Sequence, residues 1–149
     1  MALIHHFMLV SPDISKQMVP FRETYISDGI MQRYKNFESV PKPINDSADS
    51  DAGDILMAFY KKNKGKAVCV QDDYILKVLT DFNVIETYYI GFVPCMGLNY
   101  HSFTLIPWES LPAFKSVCIN NSVCIRFAEL VSLCNAAYSM KFDILHCGI

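Results

Sequence analysis

Arginine is scarce in this 149-residue chain, which holds only Arg22, Arg33 and Arg126. Lysine and arginine together number 13 against 15 aspartates and glutamates, for a formal net charge of −2. Nucleic-acid binding draws on a dense basic surface that releases counterions, so this balance argues against nucleic acid as a partner. Long apolar runs are missing as well: none reaches the roughly 18 residues of a membrane-spanning helix. The opening MALIHHFMLV has no positively charged leader, is interrupted by His5 and His6, and runs into Ser11-Pro12. It does not read as a signal peptide, and the expected location is the cytoplasm, with no membrane partner. Signatures for nucleotide phosphates, a serine nucleophile elbow or a zinc-protease helix do not occur either. No cofactor and no metal are expected.

Apolar residues are what the chain has in quantity. At 52% hydrophobic and 19% charged it can bury a core without covalent staples, and its length fits one domain over residues 1–149. The six cysteines, Cys69, Cys95, Cys118, Cys124, Cys134 and Cys147, are irregularly spaced. In a reducing compartment such thiols are expected as buried apolar fillers, with disulfides or a metal site as the lesser readings. Cys118, Cys124, Cys134, His146 and Cys147 include the right ligand types for zinc. However, no C-x-x-C is present, and Cys134 fits the apolar stripe of a helix.

Hydrophobic periodicity organises the rest. Leu3 to Val10 reads as an interior first strand, apolar on both faces, with His5 and His6 pointing to opposite sides. The next thirty residues have only a partial helical rhythm and read as irregular, with room for one short helix. Pro41 to Asp54 reads as an acidic surface loop carrying Asp46, Asp49, Asp51 and Asp54, followed by Lys61, Lys62, Lys64 and Lys66. Its D-S-A-D-S-D spacing lacks the glycine and closing glutamate of a calcium loop.

From Gly65 the pattern sharpens. Ala67 to Val70 is a short strand. Asp72 or Asp73 caps a helix with Tyr74, Ile75, Val78, Leu79 and Phe82 on one face, and Asn83 supplies a left-handed stop. Val84 to Val93 alternates as a strand in which Gly91 marks a bulge or a close neighbour. Pro94 ends that strand, and Tyr100 to Ile106 returns antiparallel to it. In the segment 117–149, Ser122 to Ser139 forms an amphipathic helix with Val123, Phe127, Leu130, Val131, Cys134, Ala137 and Tyr138 as its stripe. KFDILHC closes the chain as a short strand or ordered tail. The expected fold class is α+β, a mixed or mainly antiparallel sheet packed by two or three helices.

Two groupings bear on function. Cys95 and His101 are the nearest thiol and imidazole in sequence, which leaves a small cysteine-dependent hydrolase or transferase as an alternative reading. Yet Cys95 follows Pro94 in a turn, without the helix N-terminus that favours a thiolate. The aromatic residues Tyr88, Tyr89, Phe92, Tyr100, Phe103 and Trp108 crowd one predicted hairpin. Adjacent strand residues face opposite ways, so either a second layer covers one aromatic face or that face is open to a partner.

Three blocks then carry a resemblance: MALIHHFMLVSPD, KAVCVQDDYILKVLTDFNVIETYYIGFVP and NYHSFTLIPWESLPAFKS. Their order is a short strand, an apolar strand, a helix with L-x-x-L, a strand ending in Pro and a strand with an aromatic. From Ala2 to Ser116 this resembles an immunity-protein family of bacterial polymorphic toxin systems. Gln71-Asp72-Asp73 departs from the serine and basic residue that many relatives place at the start of the helix. The resemblance implies a bacterial cytoplasmic antidote that binds one cognate toxin domain without catalysis. The contacts expected on such a protein are Asp46, Asp49, Asp51 and Asp54, with Tyr88, Tyr100 and Trp108 as anchors. A structural or regulatory homodimer is the remaining alternative.

Overall fold

The computed structural model describes residues 3–18, 46–89, 93–121 and 125–149. Residues 19–45, with most of the stretch expected to be irregular and the first residues of the expected acidic loop, lie outside them, as do Gly91 and the start of the helix expected at Ser122. The described chain forms β1 (Ile4–Val10), α1 (Pro12–Met18), α2 (Asp46–Asn63), β2 (Val68–Gln71), α3 (Asp72–Val78) and β3 (Glu86–Tyr89). It continues through β4 (Val93–Met96), β5 (Phe103–Ile106), α4 (Leu111–Asn120), α5 (Ile125–Met140) and β6 (Asp143–Cys147). The strands make one sheet in the order β2-β1-β6-β5-β3-β4, and every pairing is antiparallel. The class is therefore α+β, with five helices among the described residues rather than two or three.

Strand alternation sorts the core into two layers. On one face Phe7, Val70, Ile106 and Ile144 meet Ile75 and Val78 of α3, Phe114 of α4 and Phe127, Leu130 and Cys134 of α5. On the other, Met8, Val10, Tyr88, Leu105 and Leu145 meet Leu56 of α2, with Ile55, Phe59, Tyr60 and Ile14 packed around them. Both faces are thus covered by helices. That is why β1 is apolar on both sides and reads from sequence as interior, while β6, read as a short strand or ordered tail, is interior too.

Four local expectations need correction. Residues 46–54 of the acidic loop are the first turns of the 18-residue helix α2. The strand expected over Val84 to Val93 is two strands, with Tyr88 opposite Pro94 and Thr87 opposite Cys95. Pro94 sits within β4 because that strand lies at the sheet edge, where its missing N–H costs no ladder bond. Asn83 lies inside the 3-10 turn Leu79–Val84, and the non-glycine residue with positive φ among the described residues is Lys141, at 55°. There the N–H of Phe142 reaches the Ala137 carbonyl at 2.8 Å and that of Lys141 reaches Tyr138 at 3.2 Å, a Schellman ending for α5. Finally, α4 went unread, although Leu111, Phe114 and Cys118 recur at helical spacing behind Pro112 in the first turn.

Gly97 turns the chain out of β4 at φ +75°. Its N–H bonds the Ile85 carbonyl at 2.8 Å, and its own carbonyl accepts the Thr87 hydroxyl at 2.7 Å. A Cβ here would press on the Asn83 Cα at 3.2 Å and the Phe82 carbonyl at 3.3 Å. Gly97→Ala is expected to cost about 1–2 kcal/mol through left-handed strain and this crowding, read as a lower urea midpoint with unchanged slope.

Candidate functional site

The densest polar cluster is built by β1, β6, the start of α3 and the turn before β5. His5 and His146 both point to the face covered by α3, α4 and α5, and both are fully buried. His5 Nδ1 lies 2.8 Å from His146 Nε2, and His5 Nε2 lies 3.0 Å from Asp72 Oδ1. The two imidazole centroids are 5.1 Å apart with only 11° between the ring planes. With the nitrogens at 2.8 Å, the rings meet edge to edge, so the contact is an in-plane N–H···N bond and not a face-on stack.

Donor direction follows from the carboxylate. Asp72 can only accept, so His5 donates through Nε2–H and, when neutral, presents a lone pair at Nδ1. His146 then donates through Nε2–H, and its Nδ1 is left as a buried acceptor with no hydrogen-bond partner among the described residues. The Tyr100 ring lies 5.4 Å from that of His5, and the nearby Asp72 raises the Tyr100 hydroxyl above its ordinary value.

The electrostatics follow the burial. Desolvation lowers His5 below 6.5 despite the hydrogen bond and charge of Asp72. It lowers His146 much further, reinforced by the nearby His5 and His6. Burial works to raise the Asp72 carboxyl, but the hydrogen bond from His5 and the neighbouring Tyr100 and His101 outweigh it and hold the group below 3.8.

The residues expected to bind a partner do not form one patch. Asp46, Asp49, Asp51 and Asp54 share α2, and Asp54 is exposed. Tyr88 is fully buried beneath the α2 layer, which corrects the expectation of an exposed anchor: a second layer covers that aromatic face. Trp108 is half-buried against the opposite core layer, with the Lys141 ammonium 5.5 Å from its ring centroid and Tyr138 at 5.9 Å. Its backbone N–H donates to Asp143 Oδ1 at 2.9 Å. Tyr100 is half-buried and engaged with Asp72.

The alternative pair fares differently. Cys95 lies in β4, and burial raises its thiol, against the demand of an attacking thiolate. His101 is exposed in the turn, with its backbone N–H bonded to Asn99 Oδ1 at 3.2 Å. Five cysteines are described, none of them in a disulfide. Burial pushes Cys118 well above 9 and Cys134 up to about 12, as expected of core thiols. Among the described residues no group of three or more His, Cys, Asp or Glu is arranged to hold a metal ion, and no helix is long and apolar enough to cross a membrane.

Surface grooves lie among the described residues. One of about 420 Å³ lies between α4 and α5 beside Pro112, Lys115 and Tyr138. Another, about 300 Å³, lies by Ile4, Gln71 and Arg126. Neither is lined by Cys95 or His101.

Sequence reasoning missed the Asp72–His5–His146 chain. Asp72 looked like a helix cap, but the N-cap is Gln71 without a side-chain cap bond, and the carboxylate turns to His5. The available signal was the parity of β1, which sends His5 inward. Its partner is 141 residues away, and no local pattern reports that. No protein-family model, curated protein or solved structure matches this chain.

Proposed function

We propose that this chain is an antidote of the immunity-protein type, which neutralises a bacterial toxin domain by forming a tight complex with it. The observation that carries the reading is α2. The acidic run belongs to an 18-residue helix whose inner side, Leu56, Phe59 and Tyr60, is packed on the sheet. Its outer stripe of Asp54, Met57, Ala58 and Lys61 is exposed, with Met57 at 41% of its full accessibility. A preformed helix face with an acidic end and a central methionine suits a basic partner. Charge speeds the encounter, methionine is enriched at interfaces, and little ordering entropy is lost on docking. Because Tyr88 lies in the core, the contact surface centres on Asp46, Asp49, Asp51, Asp54 and Met57.

The reading is tested with the variable C-terminal domain of a secreted protein encoded beside this chain. Co-expression restores growth, and the two polypeptides co-elute. Changing all four aspartates to asparagine keeps helix-capping side chains while removing the charge. The association rate is then expected to fall about tenfold at low salt and to lose most of its salt dependence, by stopped-flow fluorescence. Absence of rescue together with absence of a complex would end this proposal.

A further inference from the structure

We infer that the Asp72–His5–His146 chain is an acid-released latch, a hydrogen-bonded wire that holds α3 and the turn at 99–102 onto the two interior strands β1 and β6. The inference does not rest on the binding role.

Its ground is that the wire has no place for one more proton. A proton on His146 Nδ1 creates a cation in the fully buried layer, where the Phe7 ring sits 4.9 Å away and that nitrogen has no acceptor among the described residues. A proton on His5 Nδ1 sets two N–H groups against each other across 2.8 Å. The clash is relieved only if His146 shifts its hydrogen to Nδ1, which again buries a donor without a partner. At neutral pH every link is satisfied in one direction, from His146 to His5 to Asp72.

The wire reaches the end of β6 as well. The Gly148 N–H bonds the Ser102 carbonyl at 2.9 Å and the Ile149 N–H bonds the Tyr100 carbonyl at 3.0 Å, while the Tyr100 ring of the same turn lies 5.4 Å from that of His5. Loss of the His5–His146 bond therefore removes support from β1, β6, α3 and this turn together.

The charged and titratable neighbours do not rescue the protonated state. Asp72 is the carboxylate in direct contact, at the far side of His5, with Asp73 acting on Tyr100 and His101 acting on Asp72. His6, on the opposite face of β1, adds repulsion to His146 and is itself disfavoured as a cation by burial, His5 and Lys64. From α4 and α5 the titratable side chains in the covering core are the thiols Cys118 and Cys134, which burial keeps neutral.

The sign of the effect follows. His146 and His5 have folded values below 6.5, so the unfolded chain binds protons that the folded chain refuses. Stability is at its full level above about pH 6.5 and declines as the pH falls below it. Each proton taken up on unfolding raises the unfolding constant about tenfold per pH unit.

The test uses the full chain labelled with nitrogen-15. At pH 7.5 a coupling across the hydrogen bond is expected between His5 Nδ1 and His146 Nε2, with His146 staying neutral through the range where a free imidazole titrates. Urea unfolding between pH 7.5 and 5.0 is expected to show the tenfold-per-unit rise below pH 6.5, and His146→Gln to flatten it. If that variant does not fold, the wild-type spectra and urea series decide alone. Ordinary titration of His146 near 6.5, an unfolding constant independent of pH over this range, or an unchanged pH slope in a folded His146→Gln protein would each overturn the latch.

Discussion

Phe114→Ala is expected to lower the free energy of unfolding by about 3–5 kcal/mol, the usual range for emptying a buried aromatic site. Phe114 projects from α4 with no exposed surface, and its ring meets Phe82 at 5.1 Å and Phe7 at 5.9 Å. It joins α4, the 3-10 turn after α3 and the interior strand β1. β1 and α4 are secured elsewhere, by β1–β6 pairing and by the packing of α4 on α5, which limits collapse onto the missing ring. A domain of this size is stable by about 5–15 kcal/mol, so the loss consumes much of the margin. Urea unfolding followed by circular dichroism measures it, and a loss below about 1 kcal/mol would mean that this layer is not packed as described.

Tyr88→Ala carries an expected loss of similar size, about 3–5 kcal/mol, from the opposite layer. Tyr88 sits in β3 opposite Leu105 and is buried with Leu56, Met8 and Leu145 beneath α2. This result separates a core residue from a binding anchor. If Tyr88 were a contact residue, truncation would weaken a complex and leave the urea midpoint of the free chain in place. A midpoint shifted in the free chain identifies the residue with folding. Because Phe114 and Tyr88 lie on opposite faces of the sheet and belong to separate clusters, their losses are expected to add.

These two residues also mark how far the sequence could be read. Phe114 belongs to a helix with a regular i, i+3, i+7 repeat that was legible in principle, yet Pro107, Pro112 and the change of texture around them hid it. Tyr88 was placed correctly in a strand, but whether its face met solvent or a helix depended on α2. The first nine residues of α2, Asp46 to Asp54, are rich in aspartate, serine and glycine and read locally as a loop. Their helical state follows from the apolar half of the same helix, Ile55 to Tyr60, which anchors it on the sheet and extends the hydrogen-bonded ladder back into poor helix formers. Pro94 misled in a similar way. A proline ends an interior strand but is tolerated in an edge strand, and edge position is a property of the sheet and not of the segment.

The polar cluster divides along the same line. Side-chain parity is set residue by residue through backbone geometry, so the opposed directions of His5 and His6 were readable from their adjacency. The amphipathic stripe of α5 was readable for the same reason: Phe127, Leu130, Cys134 and Ala137 are buried as that stripe requires, although Tyr138 at its end is exposed. Which strand lies beside which is a matter of pairing between distant segments. Only the assembled sheet placed β6 between β1 and β5, and so brought His146 within hydrogen-bonding distance of His5. Local periodicity chose the faces; long-range packing chose the neighbours, because the free energy that ranks one strand order over another comes from burial shared across the whole core.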